Sequence, residues 1–350
     1  MATRHPEYRG YCRKKVIFTI GFMVAVVFLS MFSLKVGFYE TTYSEIFDII
    51  WKNLNGMEVP RQDQVIIWES RVPEAIVAIL TGAALSVGGA VMQTVLRNPL
   101  ADSYTMGISS GAFFGVTIAA IAGVSLIPGI GSELATIINA FVFSLIPVVI
   151  VLMISRNRKM TPTKIILVGI AIMYVFSAVS TLLMLTADSE TLADVYSWRV
   201  GTLSNIAWNH VGVILVFVVA GIAYLMFNNR KYNLMMAGDN CAQSMGIDTK
   251  RTTLTSMTVV SLITAAVVSF TGTIGFVGLV GPHIARIFVG SESKYLIPAS
   301  AAFGAAFLLI ADCISRVSGT YGLPVGVISA IIGCPLFVII LVKMRSKEWA

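Results

Sequence analysis

The stretch GTIGFVGLVGPHIARIF, residues 272–288, sets Gly272, Gly275, Gly278 and Gly281 ahead of Pro282, His283 and Arg286. A glycine loop backed by a base is one way to cradle a phosphate and act on it. The fingerprint for that chemistry ends in Gly-Lys-Ser/Thr, because the lysine must reach the terminal phosphates. The chain contains no Gly-Lys dipeptide. A second candidate is GISSG, Gly107 to Gly111, which fits the Gly-x-Ser-x-Gly pattern of a serine nucleophile elbow and could pair Ser109 with His283. An elbow needs a strand before it, and nothing upstream reads as one. Gly107, Gly111 and Gly115, four apart, instead make a smooth helix face for close packing. His5, His210 and His283 are scattered, and Cys12, Cys241, Cys313 and Cys334 lack metal-ligand spacing.

The elements that must carry these residues are apolar. Of 350 residues, 56% are hydrophobic and 12% charged, with a mean hydropathy of +0.83. A soluble domain carries roughly 25% charged residues, so much of this surface has to face lipid. The expected fold is an all-α integral membrane protein. At about 20 apolar residues per crossing, ten spans are predicted: 16–36, 72–96, 105–127, 134–154, 163–186, 208–227, 252–271, 274–289, 295–313 and 323–342. On the eighth, the repeat of three puts the four glycines of the opening stretch on a slowly drifting helical stripe. Its His283 then reads as structural, and Arg286 emerges near a boundary.

With ten spans the termini share a side. Arg4, Arg9, Arg13, Lys14 and Lys15 at one end and Lys343, Arg345 and Lys347 at the other place that side in the cytoplasm by the positive-inside rule. The net charge of +7 then reflects topology rather than nucleic-acid binding. The first span is too long for a cleaved signal peptide and is expected to stay as an anchor.

Three connections are long. The outer segment 37–71 contains EIFDIIWKNL at 45–54, an amphipathic helix with Ile46, Ile49 and Ile50 on one face, suited to lying on a surface. The second outer segment is 188–207. The cytoplasmic segment 228–251 is helix-compatible from Leu234 to Met245 and stops at Gly246. Exposed Leu234, Met235, Met236 and Met245 would dock it onto a partner. Ion-coupled transporters keep acidic or histidine side chains inside the membrane. Here Glu74, Glu133 and Asp312 fall near outer ends of spans and Asp102 and Arg286 near inner ones, so an energy source outside the chain is the more natural reading than a secondary transporter.

These features resemble the FecCD family, the permease subunits of ABC importers for iron–siderophore complexes, haem and cobalamin. The resemblance rests on residues 70–115, with Gln93, Arg97-Asn98-Pro99-Leu100-Ala101 and Gly107 to Gly111. It continues in SWRVGTLSNIAW at 197–208, GIDTKR at 246–251, GFVGLVGPHIAR at 275–286 and GLPVGVISAIIGCPLFVIIL at 322–341. It implies a single permease domain, 1–350, of the type II, cobalamin-importer-like fold, set in a prokaryotic cell membrane, either an inner membrane or a single plasma membrane. It also implies a second permease subunit in a homodimer, with one substrate path at the dimer axis. Two cytoplasmic ATPases would use ATP and Mg, this chain would bind no cofactor, and a substrate-binding protein would dock outside.

Residue by residue, the resemblance makes 234–247 a coupling helix, with Met236, Ala237, Gly238, Ala242, Met245 and Gly246 at the ATPase. Asn98 and Leu100 match a cytoplasmic gate. Thr163 would stand at a second constriction, where Pro162 replaces a hydroxyl residue. Arg71 and Arg316 match arginines that receive glutamates of the binding protein. Glu74 stands where that signature has its second arginine. Two alternatives stay open for Glu74: it alters the docking site, or it pairs locally with Arg71 three residues earlier.

Overall fold

A computed structural model describes residues 6–37, 39–155, 161–319 and 322–343. Among the described residues every regular element is helical. The chain runs α1 (Pro6–Lys35), α2 (Tyr43–Leu54), a single turn α3 (Arg61–Asp63), a π-helical stretch Gln64–Arg71, then α4 (Val72–Val95) and α5 (Ile108–Ala122). It continues through α6 (Ser132–Ser155), α7 (Pro162–Met184), α8 (Ser189–Arg199) and α9 (Trp208–Phe227). The remainder is α10 (Asn229–Met236), α11 (Asp239–Ser244), α12 (Thr249–Thr271), α13 (Val277–Val289), α14 (Ser293–Val317) and α15 (Val325–Lys343). Among the described residues eight stretches are long and apolar enough to cross a membrane, and α5 and α13 are shorter apolar helices; together they fall on the ten expected spans.

Helix ends follow local chemistry. Thr42 and Glu45 form a capping box on α2, and the hydrogen bonds from Thr42 hold the Glu45 carboxyl below its ordinary pKa. The Asp188 carboxylate caps α8 by accepting from the Glu190 and Thr191 amides, which likewise lowers its pKa. Thr161 caps α7, and Pro162 takes the first-turn position where a missing N–H costs nothing.

Burial separates the helices into inner and outer ones. Within the apolar window of α1 only 11% is buried, against 78% for the segment containing α4. α4 is therefore the centre of the bundle, packed by α9, α12, α13 and α14. Small residues permit this. A side chain at Gly82 would overlap the backbone of Gly304 on α14, and one at Gly89 the backbone of Gly278 on α13. A second seam joins α5 to α6, where side chains at Gly111 and Gly115 would overlap the carbonyls of Phe143 and Asn139. Of the packing face expected for Gly107, Gly111 and Gly115, the last two are present on α5, while Gly107 stands before the helix at φ +83°.

Three local expectations change. Gly272 ends α12 and Gly275 lies in the link before α13, so only Gly278 and Gly281 stand on the eighth span's helix. The face of α2 bearing Ile46 and Ile49 packs on Ile67 of the π-helical stretch rather than lying on an outside surface. The segment 234–245 is two helices, broken at Ala237-Gly238, where Gly238 has φ +115°, a backbone conformation that glycine alone adopts without strain.

Candidate functional site

The chemistry-bearing residues collect at the two ends of the bundle. At the end carrying α2 and α8, Glu74 in the first turn of α4 lies beside Asp312 and Arg316 in the last turns of α14. Arg316 donates to Asp312 and to the carbonyl of Ser33 at 3.0 Å, and its Nη2 stands 3.3 Å from Glu74 Oε2. Arg316 thus ties α1, α4 and α14 together, and it lies within α14 rather than after it. Arg71 faces elsewhere. Its guanidinium donates to the carbonyls of Leu34 at 2.8 Å and Tyr39 at 3.0 Å, where the chain leaves α1. The local Glu74–Arg71 pair is corrected accordingly: Glu74 pairs with Arg316.

Arg71, Glu74 and Arg316 nevertheless line one cavity of about 540 Å3, with Ser70, Ser204 and Asn205. Glu74 adds a carboxyl group to the two guanidinium groups of that lining, and Asp312, outside the lining, adds a second beside Arg316. An arginine at position 74 would leave three cations against one anion. The phenol of Tyr39, whose carbonyl accepts from Arg71, donates to Asp63 Oδ1 at 2.8 Å, a bond that raises the phenol's pKa.

At the opposite end, α4 gives way to a turn. The Asn98 side chain accepts from the Leu100 amide at 2.8 Å, leaving the Leu100 side chain exposed. Arg97 has φ +46°, one of two non-glycine residues in the left-handed region among those described. Its Nη2 meets Asp239 Oδ1, the first residue of α11, at 2.5 Å. A cavity of about 270 Å3 is lined by Arg97, Pro162, Ile165, Asp239, Thr249 and Lys250. It gathers the turn after α4, the start of α7 and the segment 228–251. Thr163 lies exposed on the first turn of α7. A neighbouring cavity of about 370 Å3 brings Met236 and Ala237 beside Arg97 and Arg286.

Within 228–251, Met236 and Met245 are exposed, whereas Met235 is buried and Leu234 half-buried. Ala242 is fully buried, so it supports α11 from behind and offers no surface to a partner. Gly246, at φ +80°, follows the end of α11 as expected. The contact between Arg97 and Asp239 joins residues 142 apart in the chain, which no local spacing signals.

His283 and Ser109 are held by different parts of the bundle. His283 sits on α13, which packs on α4, α14 and α15, whereas Ser109 sits on α5, which packs on α6, α7 and α12. His283 Nδ1 lies 2.6 Å from the Leu279 carbonyl on its own helix and 3.4 Å from Gln93 Nε2 on α4, and its ring meets Phe337 of α15 edge-on.

Comparison with known proteins bears on the family and the fold. The model of the FecCD transport family matches residues 25–343. The cobalamin import system permease protein BtuC of Halobacterium salinarum is 39% identical, covering 83% of this chain and 76% of that one. The iron(3+)-hydroxamate import system permease protein FhuB of Bacillus subtilis is 34% identical, covering 82% and 74%. A solved metal-chelate type ABC transporter in an inward-facing conformation superposes with a TM-score of 0.81 at 25% identity, covering 93% of this chain and 99% of that one.

Proposed function

The chain belongs to the FecCD transport family and is a multi-pass permease subunit of an ABC importer rather than an enzyme, and we propose that its cargo is an iron–siderophore complex. Importers of this class work with an ATPase and a substrate-binding protein. In our reading two copies of this chain form the path, and the α11 end faces the cytoplasm together with both termini. ATP and Mg are used by the ATPase pair, and this chain binds no cofactor of its own. Met236, Ala237 and Met245 meet the ATPase, with Gly238 and Gly246 setting the turns of the coupling segment. Asn98 and Leu100 close the path on that side, with Thr163 at a second constriction. The cavity of Arg71, Glu74 and Arg316 receives the binding protein, and Glu74 tempers its positive charge.

The observation that supports the gating part of this reading is the ion pair of Arg97, next to Asn98, with Asp239 at the start of α11, beside a cavity that both line with Pro162. Identity does not choose the cargo: relatives named for cobalamin and for iron(3+)-hydroxamate match over similar shares of the chain. The test is uptake into proteoliposomes holding the permease with its ATPase and binding protein, using labelled ferric hydroxamate, haem and cobalamin. ATP-dependent uptake of the ferric hydroxamate alone is the expected result. Uptake of cobalamin or haem in its place would overturn the cargo, and ATP-independent uptake would overturn the drive.

A further inference from the structure

We propose that α2 is an interfacial membrane anchor whose aromatic stripe lies at the boundary between lipid headgroups and acyl chains. At about 100° per residue, the twelve residues of α2 divide into three sectors. Ile46, Ile49, Ile50 and Asn53 face the protein, with Ile46 and Ile49 buried against Ile67. Ser44, Glu45, Asp48 and Lys52 form a polar sector, where Lys52 and Asp48 pair at 2.6 Å. Between these two lies a third sector of Tyr43, Phe47, Trp51 and Leu54, exposed by 42%, 54%, 64% and 69%.

A helix that only rested on its own protein would need two sectors, one apolar and one polar. The extra apolar sector has to meet something other than water. Its surroundings point to lipid. The outward face of α1 is exposed and apolar up to Phe28, Met31 and Phe32, and it must face acyl chains. Lys35 continues that face one turn further, and its Nζ lies 5.0 Å over the ring of Tyr43. The stripe Tyr43, Phe47, Trp51 is therefore a direct continuation of a lipid-facing surface. It turns from the direction of a span to that of α2 at a lysine, a residue that reaches the headgroups while its stem stays in apolar surroundings. Tyrosine and tryptophan at this level are the residues that favour the interface, and the polar sector then meets water.

The inference needs only that the chain spans a membrane, and it is independent of cargo and of sidedness. It is tested on the full chain in vesicles of phosphatidylethanolamine and phosphatidylglycerol, some carrying bromine near the headgroup end of the acyl chain. Tryptophan emission is compared for the wild type, Trp51→Leu, and Trp51→Leu with Asp48→Trp. The wild type should show a component quenched by the brominated lipid and shielded from aqueous iodide. Trp51→Leu should lose that component. Moving the indole to position 48 should restore emission that iodide quenches and brominated lipid does not. Iodide quenching of Trp51 in vesicles would overturn the proposal by placing the stripe in water. Protection of Trp51 from both quenchers would overturn it by placing a protein surface, such as a second copy, over the stripe.

Discussion

Removing the Arg316 guanidinium would leave Glu74 and Asp312 side by side, while Arg71 stays committed to the carbonyls of Leu34 and Tyr39. Taking one member from a buried ion pair costs about 3–5 kcal/mol, because the remaining charge stays buried without compensation. Arg316→Leu is expected to lower the melting temperature in detergent, and adding Glu74→Leu should recover part of that loss. An unchanged melting curve for Arg316→Leu would show that the cluster does not hold α1, α4 and α14 together. The sequence names Arg71, Glu74 and Arg316, but its spacing rule joins the wrong pair. Residues three apart on a helix are neighbours only if both side chains are free to turn. Arg71 is claimed by carbonyls released where the chain leaves α1, and no local spacing carries that information.

The Arg97–Asp239 contact joins the turn after α4 to the first residue of α11. Both side chains are more than a third exposed, so the pair adds at most about 1 kcal/mol to stability. Its loss should therefore be felt in the transport cycle and not in folding. Arg97→Asp and Asp239→Arg are each expected to keep the wild-type melting temperature and lower the cargo moved per ATP hydrolysed. The double exchange should restore much of that ratio. Equal ratios in all variants would remove the link between the two elements. The segment 228–251 shows how far element boundaries can be read. Gly246 ends a helix as expected, while the break at Gly238 falls inside the expected helix. Its signal was present in Gly238-Asp239, a breaker followed by an acidic residue suited to a helix's first turn.

For the whole molecule, hydropathy alone locates the spans, because a bilayer accepts only long apolar helices with their backbone groups paired internally. It does not say which span is central. That depends on where backbones approach, and α4 is the centre because its glycines face those of α13 and α14. Gly89→Ala is expected to be destabilising by about 1–3 kcal/mol, the usual cost of overfilling a packed contact. Gly212→Ala, on α9 where nothing stands within 4 Å of the new carbon, should be neutral or stabilising by up to about 1 kcal/mol. Thermal melting of the two variants in detergent separates these outcomes.

The two glycine seams also divide the bundle into blocks. Backbones in direct contact have no side chains to rearrange between them, so α4, α13 and α14 form one stiff body and α5 with α6 a second. α12 touches both, and its contact with α4 is filled by side chains: Val260 Cγ1 and Thr264 Oγ1 are the α12 atoms nearest Gly88. Rotamer changes can occur at such a contact, whereas a glycine seam offers none. α12 is therefore the helix that meets both bodies, and it meets α4 through side chains that can turn.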